Sequence, residues 1–208
     1  DQHVPQIITS STHAADLVCE EFGCDPELVT SIVDRVDLNA FYPRQNEEER
    51  LGSLQALGIP SGRHIIVYLG KLAEYQGTGL LLDAARELCA KRNDLHFIIA
   101  GYPSVDVYEA RAAELGIAEH CSFLGRVNYE HAADVLRLGD IAVSPKISKT
   151  EGAGKLLNYM AVGLPTVAFD NGVSREYLGD LGIYAPLGDA KALAEQIDRL
   201  VDDGPRRQ

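Results

Sequence analysis

The runs HIIVYLG at residues 64–70 and LHFIIAG at 95–101 decide the fold. Each is an almost unbroken series of apolar and β-branched residues that closes on a glycine. A strand with one wet face alternates polar and apolar residues, whereas an unbroken run marks a strand covered on both faces, as in a parallel sheet. CSFLGRV (121–127), DIAVSP (140–145), PTVAFD (165–170) and GIYA (182–185) repeat the pattern. Between the runs the apolar period becomes helical. Leu81, Ala84, Ala85 and Leu88 share one helix face, as do Ala132, Ala133 and Leu136, and also Leu156, Leu157, Met160 and Ala161. Strand and helix alternating over about six units predict an α/β fold, an open doubly wound parallel sheet with right-handed crossovers. Ligands of such sheets bind beyond the carboxyl ends of the strands, so the functional residues are expected at that rim.

The first 45 residues read differently. A short run at Gln6–Thr9 precedes a helix carrying Asp16, Glu20 and Glu21, then Val29–Val36 and the extended Phe41-Tyr42-Pro43. NEEER at 46–50 either starts a helix or loosens into a linker. The boundary falls near Pro43–Glu47, dividing the chain into 1–45 and 46–208. So short a first piece cannot hold its own core; it either packs on the main domain or is the edge of another one.

Composition narrows the class. The 208 residues are 46% hydrophobic and 24% charged, with 19 Lys+Arg against 31 Asp+Glu and a formal net charge of −12. Such a chain holds one generous core, and its acidity argues against a nucleic-acid duplex or an anionic membrane as main partner. Its longest apolar runs fall well below the ~20 residues of a membrane span. The start, Asp1-Gln2-His3-Val4-Pro5, has neither the basic residues nor the apolar stretch of a secretory leader and no initiator Met, so export is not expected and the chain reads as an excised piece. Cys19, Cys24, Cys89 and Cys121 lack zinc-ligand spacing and are expected to be reduced core thiols; the histidines show no metal pattern either.

Two stretches carry candidate chemistry. Gly70-Lys71-Leu72, continuing to Gln76-Gly77-Thr78-Gly79, puts a cation and glycines between a strand and a helix, an arrangement able to cradle an anion. The ordinary alternative is a βα turn with a solvated lysine. Lys149-Thr150-Glu151-Gly152-Ala153-Gly154-Lys155 looks like a triphosphate loop but has Lys149 in place of the first glycine, and Leu156 where Ser or Thr would hold Mg²⁺. On a helix beginning near Glu151, the side chains of Glu151, Lys155 and Asn158 fall at i, i+4 and i+7, opposite the apolar face. That set is suited to a phosphate and hydroxyl groups together, against the alternative of a solvated polar face. Lys146, Lys149 and Lys155 make this stretch a positive island, and Arg126 and Asn128 follow the third run on the same rim.

Taken in order, the motifs resemble the donor-binding half of group 1 glycosyltransferases. VDRVDLNAFYP (33–43) is similar to the family's passage out of its acceptor domain. YLGKL (68–72), YQG (75–77) and LLLDA (80–84) resemble its "GRLxxxKGxxxLLxA" motif, and KLLNYMAVGLPTVA (155–168) resembles "KLLEYMAxGxPVVA". The resemblance implies one half of a two-domain GT-B architecture, with 1–45 the tail of the acceptor domain and linker and 46–208 the donor-binding domain. It further implies metal-independent transfer of a sugar, with retention, from a nucleotide-diphosphate donor to a hydroxyl acceptor. The nucleotide sugar is then substrate and no cofactor is expected. Lys71 stands where the family uses Arg against the diphosphate, and Lys155 lies on the helix facing it. Gln76 replaces a phosphate-contacting Lys, and Asn158 replaces the Glu that takes the ribose hydroxyls. The sugar-contacting Glu aligns at Thr150 or Glu151, with Glu151 preferred. Lys71 and Glu151 are thus the catalytic candidates; Gly70, Gln76, Arg126, Thr150, Gly152, Lys155, Leu156 and Asn158 complete the donor set. The partner implied is an N-terminal acceptor domain, and the location is cytoplasmic, with peripheral membrane association left open for the full protein. A nucleotide-sugar 2-epimerase half and a non-catalytic nucleotide-binding module remain alternatives.

Overall fold

In a computed structural model of the chain, residues 6–148 and 152–204 are described. Six parallel strands form the main sheet: β3 (His64–Leu69), β4 (Leu95–Ala100), β5 (Cys121–Gly125), β6 (Ile141–Ser144), β7 (Thr166–Phe169) and β8 (Ile183–Ala185). Their order is β5-β4-β3-β6-β7-β8, so the chain winds outward from β3 to one edge, returns, and winds to the other. The reversal point lies between β3 and β6. All five pairings are parallel. Each apolar run of the sequence is thus a strand of one sheet, and alternate residues feed opposite faces.

Ile66, Tyr68, Phe97, Ile99, Ile141 and Val143 point into a core completed by α3 (Thr78–Cys89), α4 (Val105–Glu114) and α8 (Ala190–Asp202). Ile65, Val67, Ile98, Ala142 and Ala168 point the other way. There α5 (Tyr129–Arg137), α6 (Lys155–Ala161) and α7 (Gly172–Leu178) cover them. Burial of a whole Leu or Ile side chain contributes about 1.5–3 kcal/mol, and both faces of the sheet draw on it.

The first segment packs on this body. It contains β1 (Ile7–Thr9) and β2 (Val29–Ser31), paired in parallel as a separate two-stranded sheet, with α1 (Thr12–Phe22) between them. Phe41 is 1% exposed and belongs to the core under α5 and α6. NEEER is helical: α2 (Glu47–Ala56) starts at Asn46, whose side chain accepts from the N–H groups of Glu48 and Glu49.

Two expectations are corrected. Helix α6 begins at Lys155, not near Glu151; of its expected face Leu156 is buried and Leu157 and Ala161 pack against the core, but Met160 is 40% exposed and Tyr159 is buried instead. Tyr159 replaces Met160 inside because its hydroxyl is satisfied there, accepting from Leu69 N at 3.0 Å and donating to Leu69 O at 3.1 Å. The four cysteines are unbonded and half-buried; Cys89 and Cys121 pack against the core, whereas Cys19 and Cys24 lie in the first segment away from it. Among the described residues no helix is long and apolar enough to cross a membrane.

Candidate functional site

The carboxyl end of β3 is held by two phenols. Tyr68 donates its hydroxyl to Lys71 O at 2.8 Å, and Tyr159 brackets Leu69 from α6. Burial first, then neighbouring phenols for Tyr68, pushes both hydroxyls far above the ordinary tyrosine range, so they remain protonated donors. The turn that follows is stitched to the loop after β6: the N–H groups of Ile147 and Ser148 both donate to Tyr75 O at 3.1 Å. Gly77 lies so close to the Pro145 carbonyl that a Cβ would overlap it. The loops leaving β3 and β6 therefore form one unit at the point where the strand order reverses, where a crevice for a ligand is expected.

Lys155 reaches into this unit from the first turn of α6. Its ammonium donates to Gln76 Oε1 at 2.9 Å and lies 4.6 Å from the centroid of the Tyr68 ring. A Cβ on Gly70 would stand 3.3 Å from it, so glycine leaves the ammonium room at the strand end. Lys71, exposed, projects its ammonium across Tyr75 at 5.6 Å from the ring centroid. The structure thus gathers Gly70, Gln76 and Lys155, with Lys71 and Tyr75 on the same turn. A cation held between an aromatic face and an amide oxygen is already oriented before any anion arrives.

The other candidates divide. Arg126 follows β5, beyond β4 from this group, and stacks 4.9 Å above the Tyr102 ring. Asn158 is half-buried on α6, and the Leu156 side chain is fully buried, so only the Leu156 backbone lies at the rim. Gly152 sits in the loop before α6, where its carbonyl accepts from Lys146 Nζ at 3.0 Å. Thr150 and Glu151 lie outside the described residues. The anion cradle at the start of α3 is occupied from within the chain. The Glu74 carboxylate approaches Gly79, whose Cβ would be 3.3 Å from Glu74 Oε2, and it accepts from the Tyr108 hydroxyl at 3.0 Å. An anion at this rim would therefore meet the lysines rather than this helix end.

Sequence reasoning missed Lys146, which is 2% exposed just beyond β6. Its signal was present as the first member of the positive island, directly after the strand run DIAVSP. It also missed Ser10 and Asp34, which approach the loop before α6, and Tyr177, which bonds to both; nothing local in the sequence connects them. Among the described residues no group of three or more His, Cys, Asp or Glu side chains is arranged to hold a metal ion.

The profile described as "Glycosyl transferases group 1" matches residues 51–208. The phosphatidyl-myo-inositol mannosyltransferase of Mycobacterium leprae is 30% identical over 157 residues, 74% of this chain and 41% of that protein. The alpha-D-kanosaminyltransferase of Streptomyces kanamyceticus is 31% identical over 172 residues, 81% of this chain and 44% of that protein. The chain therefore spans less than half the length of these curated relatives. Among solved structures, Anabaena HepE in complex with UDP-glucose superposes with a TM-score of 0.87 over 99% of this chain and 56% of that one. At 18% identity that likeness is one of fold.

Proposed function

We propose, from the premise that this chain belongs to the group 1 glycosyl transferases, that it is the donor-binding domain of an enzyme transferring a sugar from a nucleotide-diphosphate carrier to a hydroxyl acceptor with retention. Residues 46–208 form that domain, and residues 1–45 connect it to an acceptor domain. The observation that carries the reading is the Lys155 ammonium poised against Gln76 and the Tyr68 ring at the reversal point of the sheet. A UDP-glucose complex of a protein with the same fold is consistent with it.

In this reading the diphosphate leaves with increasing negative charge, and Lys155 and Lys71 stabilise that charge most as the glycosidic bond breaks. Tyr68 and Gln76 hold the Lys155 ammonium, so little reorganisation is needed during the reaction. Glu151 orients the sugar, Gly152 and Gly70 allow close approach, Asn158 takes the ribose hydroxyls, and Arg126 completes the donor set from beyond β4. No metal or cofactor takes part. The chain alone binds donor weakly and transfers nothing, because the acceptor side of the cleft belongs to the other domain.

Calorimetry with UDP, GDP and their sugar conjugates tests this directly. Lys71→Ala and Lys155→Ala should each weaken nucleotide binding about 10- to 100-fold, the loss of one charge-assisted hydrogen bond, with unfolding midpoints little changed. Unchanged affinity in both variants would defeat the assignment. Sugar transfer by the isolated chain would refute the requirement for a second domain.

A further inference from the structure

The loop Gly152–Gly154 is pressed from outside by side chains of the first segment. A Cβ at Gly152 would come within 2.6 Å of Ser10 Oγ and 3.1 Å of Asp34 Oδ2, and one at Gly154 within 3.0 Å of Asp34 Oδ2. Gly154 has φ −49° and ψ −27°, a conformation open to any residue. Glycine is needed there for the approach of Asp34, not for backbone freedom. From inside, the buried Lys146 ammonium holds the carbonyl of Gly152 at 3.0 Å.

Helix α7 fixes both jaws. At its start Asn171 caps the helix through Ser174 N at 2.8 Å and donates its amide to Lys146 O at 3.0 Å. At its end the Tyr177 hydroxyl lies 3.0 Å from Ser10 O and 3.1 Å from Asp34 Oδ2, one proton shared between two acceptors. Burial, then the Asp34 carboxylate, pushes that hydroxyl up to about 12, so it stays a donor at any working pH. Beside it Glu176 accepts from the N–H groups of Thr12 and His13 at 2.7 and 3.0 Å, tying α1 to the same helix.

We propose that Ser10, Asp34 and Tyr177 form a latch by which the first segment positions the Gly152–Gly154 loop and so tunes affinity for the sugar end of the donor. The latch rests on the donor-binding reading for its effect on affinity; its effect on the loop stands apart from that reading. Asp34 is a positioning residue: it acts through the loop, and what matters is an oxygen acceptor for Tyr177, not a charge. Asp34→Asn preserves that acceptor, whereas Asp34→Ala and Tyr177→Phe remove the hydrogen bond.

Two measurements on the chain, one without ligand, test it. In hydrogen exchange, peptides covering residues 152–158 should exchange about fivefold faster in Tyr177→Phe and Asp34→Ala, the consequence of losing one hydrogen bond. Asp34→Asn should match the wild type, and peptides of β3 and β6 should be unchanged in all three variants. Equal protection of 152–158 throughout, or acceleration spread equally over the strands, overturns the latch. In calorimetry with UDP-glucose, GDP-mannose, UDP and GDP, the same two variants should lose about fivefold in affinity for the sugar conjugate and less than about twofold for the bare nucleotide. Equal losses for both overturn the sugar-end assignment. A wild-type chain that binds none of the four sinks the donor-binding reading, while hydrogen exchange still decides whether the loop is latched.

Discussion

Gly77 shows how one residue can hold a site together. Its φ is +75°, in the left-handed region, and its Cα faces the Pro145 carbonyl with no room for a side chain. An alanine there meets backbone strain and a clash with a carbonyl that belongs to the neighbouring strand's loop. Gly77→Ala should therefore cost about 3 kcal/mol or more in denaturant unfolding, and a loss below ~1 kcal/mol would show that the two loops part easily. Glycine at 77 was legible as a turn residue before a helix. That it seats β3's loop against β6's was not, because Pro145 is remote in sequence. Gln76 makes the same point. As a substitution for lysine it reads as one charge lost, yet in the structure its carbonyl oxygen accepts a hydrogen bond from the Lys155 ammonium.

At the scale of elements, α2 is the piece whose sequence, NEEER, suits a helix and a linker alike. Its charged residues fit the helix because Glu47, Glu48 and Glu49 occupy the first turn, where carboxylates oppose the helix dipole. Its place is set by Arg50, 8% exposed, which donates to Leu138 O at 2.9 Å and to Asp140 Oδ2 at 2.7 Å. The same Asp140 oxygen accepts from Ile65 N at 2.8 Å, so one carboxylate joins α2, the start of β6 and the start of β3. Asp140→Ala leaves the buried guanidinium only Leu138 O and the half-exposed Glu47 carboxylate, 2.7 Å away, and takes the acceptor from Ile65 N; it should cost about 3 kcal/mol by denaturant unfolding. Asp140→Asn combined with Arg50→Met should recover most of that, since the amide oxygen still serves Ile65, no buried charge is left unpaired, and the exposed Glu47 keeps Arg44 at 2.9 Å. A double variant as unstable as Asp140→Ala would show that the ion pair itself carries the stability. Helix α6 shows one residue of a face misplaced: Leu156, Leu157 and Ala161 face the core as their spacing suggests, but Tyr159 and not Met160 is the buried neighbour. Hydrophobicity alone ranks methionine above tyrosine, and only the backbone groups of Leu69 make tyrosine the better core residue.

For the molecule as a whole, acid stability is read at the end of the sheet opposite the site. His96, at the start of β4, is 4% exposed, with Nε2 at 2.8 Å from Ser122 Oγ and Nδ1 at 3.4 Å from an Arg63 nitrogen. Arg63 can only donate, so Nδ1 accepts and Nε2 carries the proton toward Ser122. Burial, then the charges of Arg63 and His120, holds His96 down to about 4. In the unfolded chain histidine titrates near ~6.5. Between the two values the unfolded state binds more protons, so stability falls as pH falls from ~6.5 toward ~4, by up to about 3 kcal/mol from this group. His96→Asn should flatten that stretch of the pH–stability curve relative to the wild type; parallel curves would show that another group governs acid unfolding. The number and direction of the main strands, the two-faced core and the rim that carries the lysines were all determined by the sequence alone. Those features follow from short-range periods, continuous apolar runs for doubly covered strands and a helical period between them, which hold wherever the elements are finally placed. The tertiary structure alone decided that Lys155 meets Gln76 across 79 residues and that Tyr177 meets Asp34 across 143. Such meetings depend on strand register and on the rotation of each helix about its axis, and those are set by the packing of the whole core, with no local pattern to announce them.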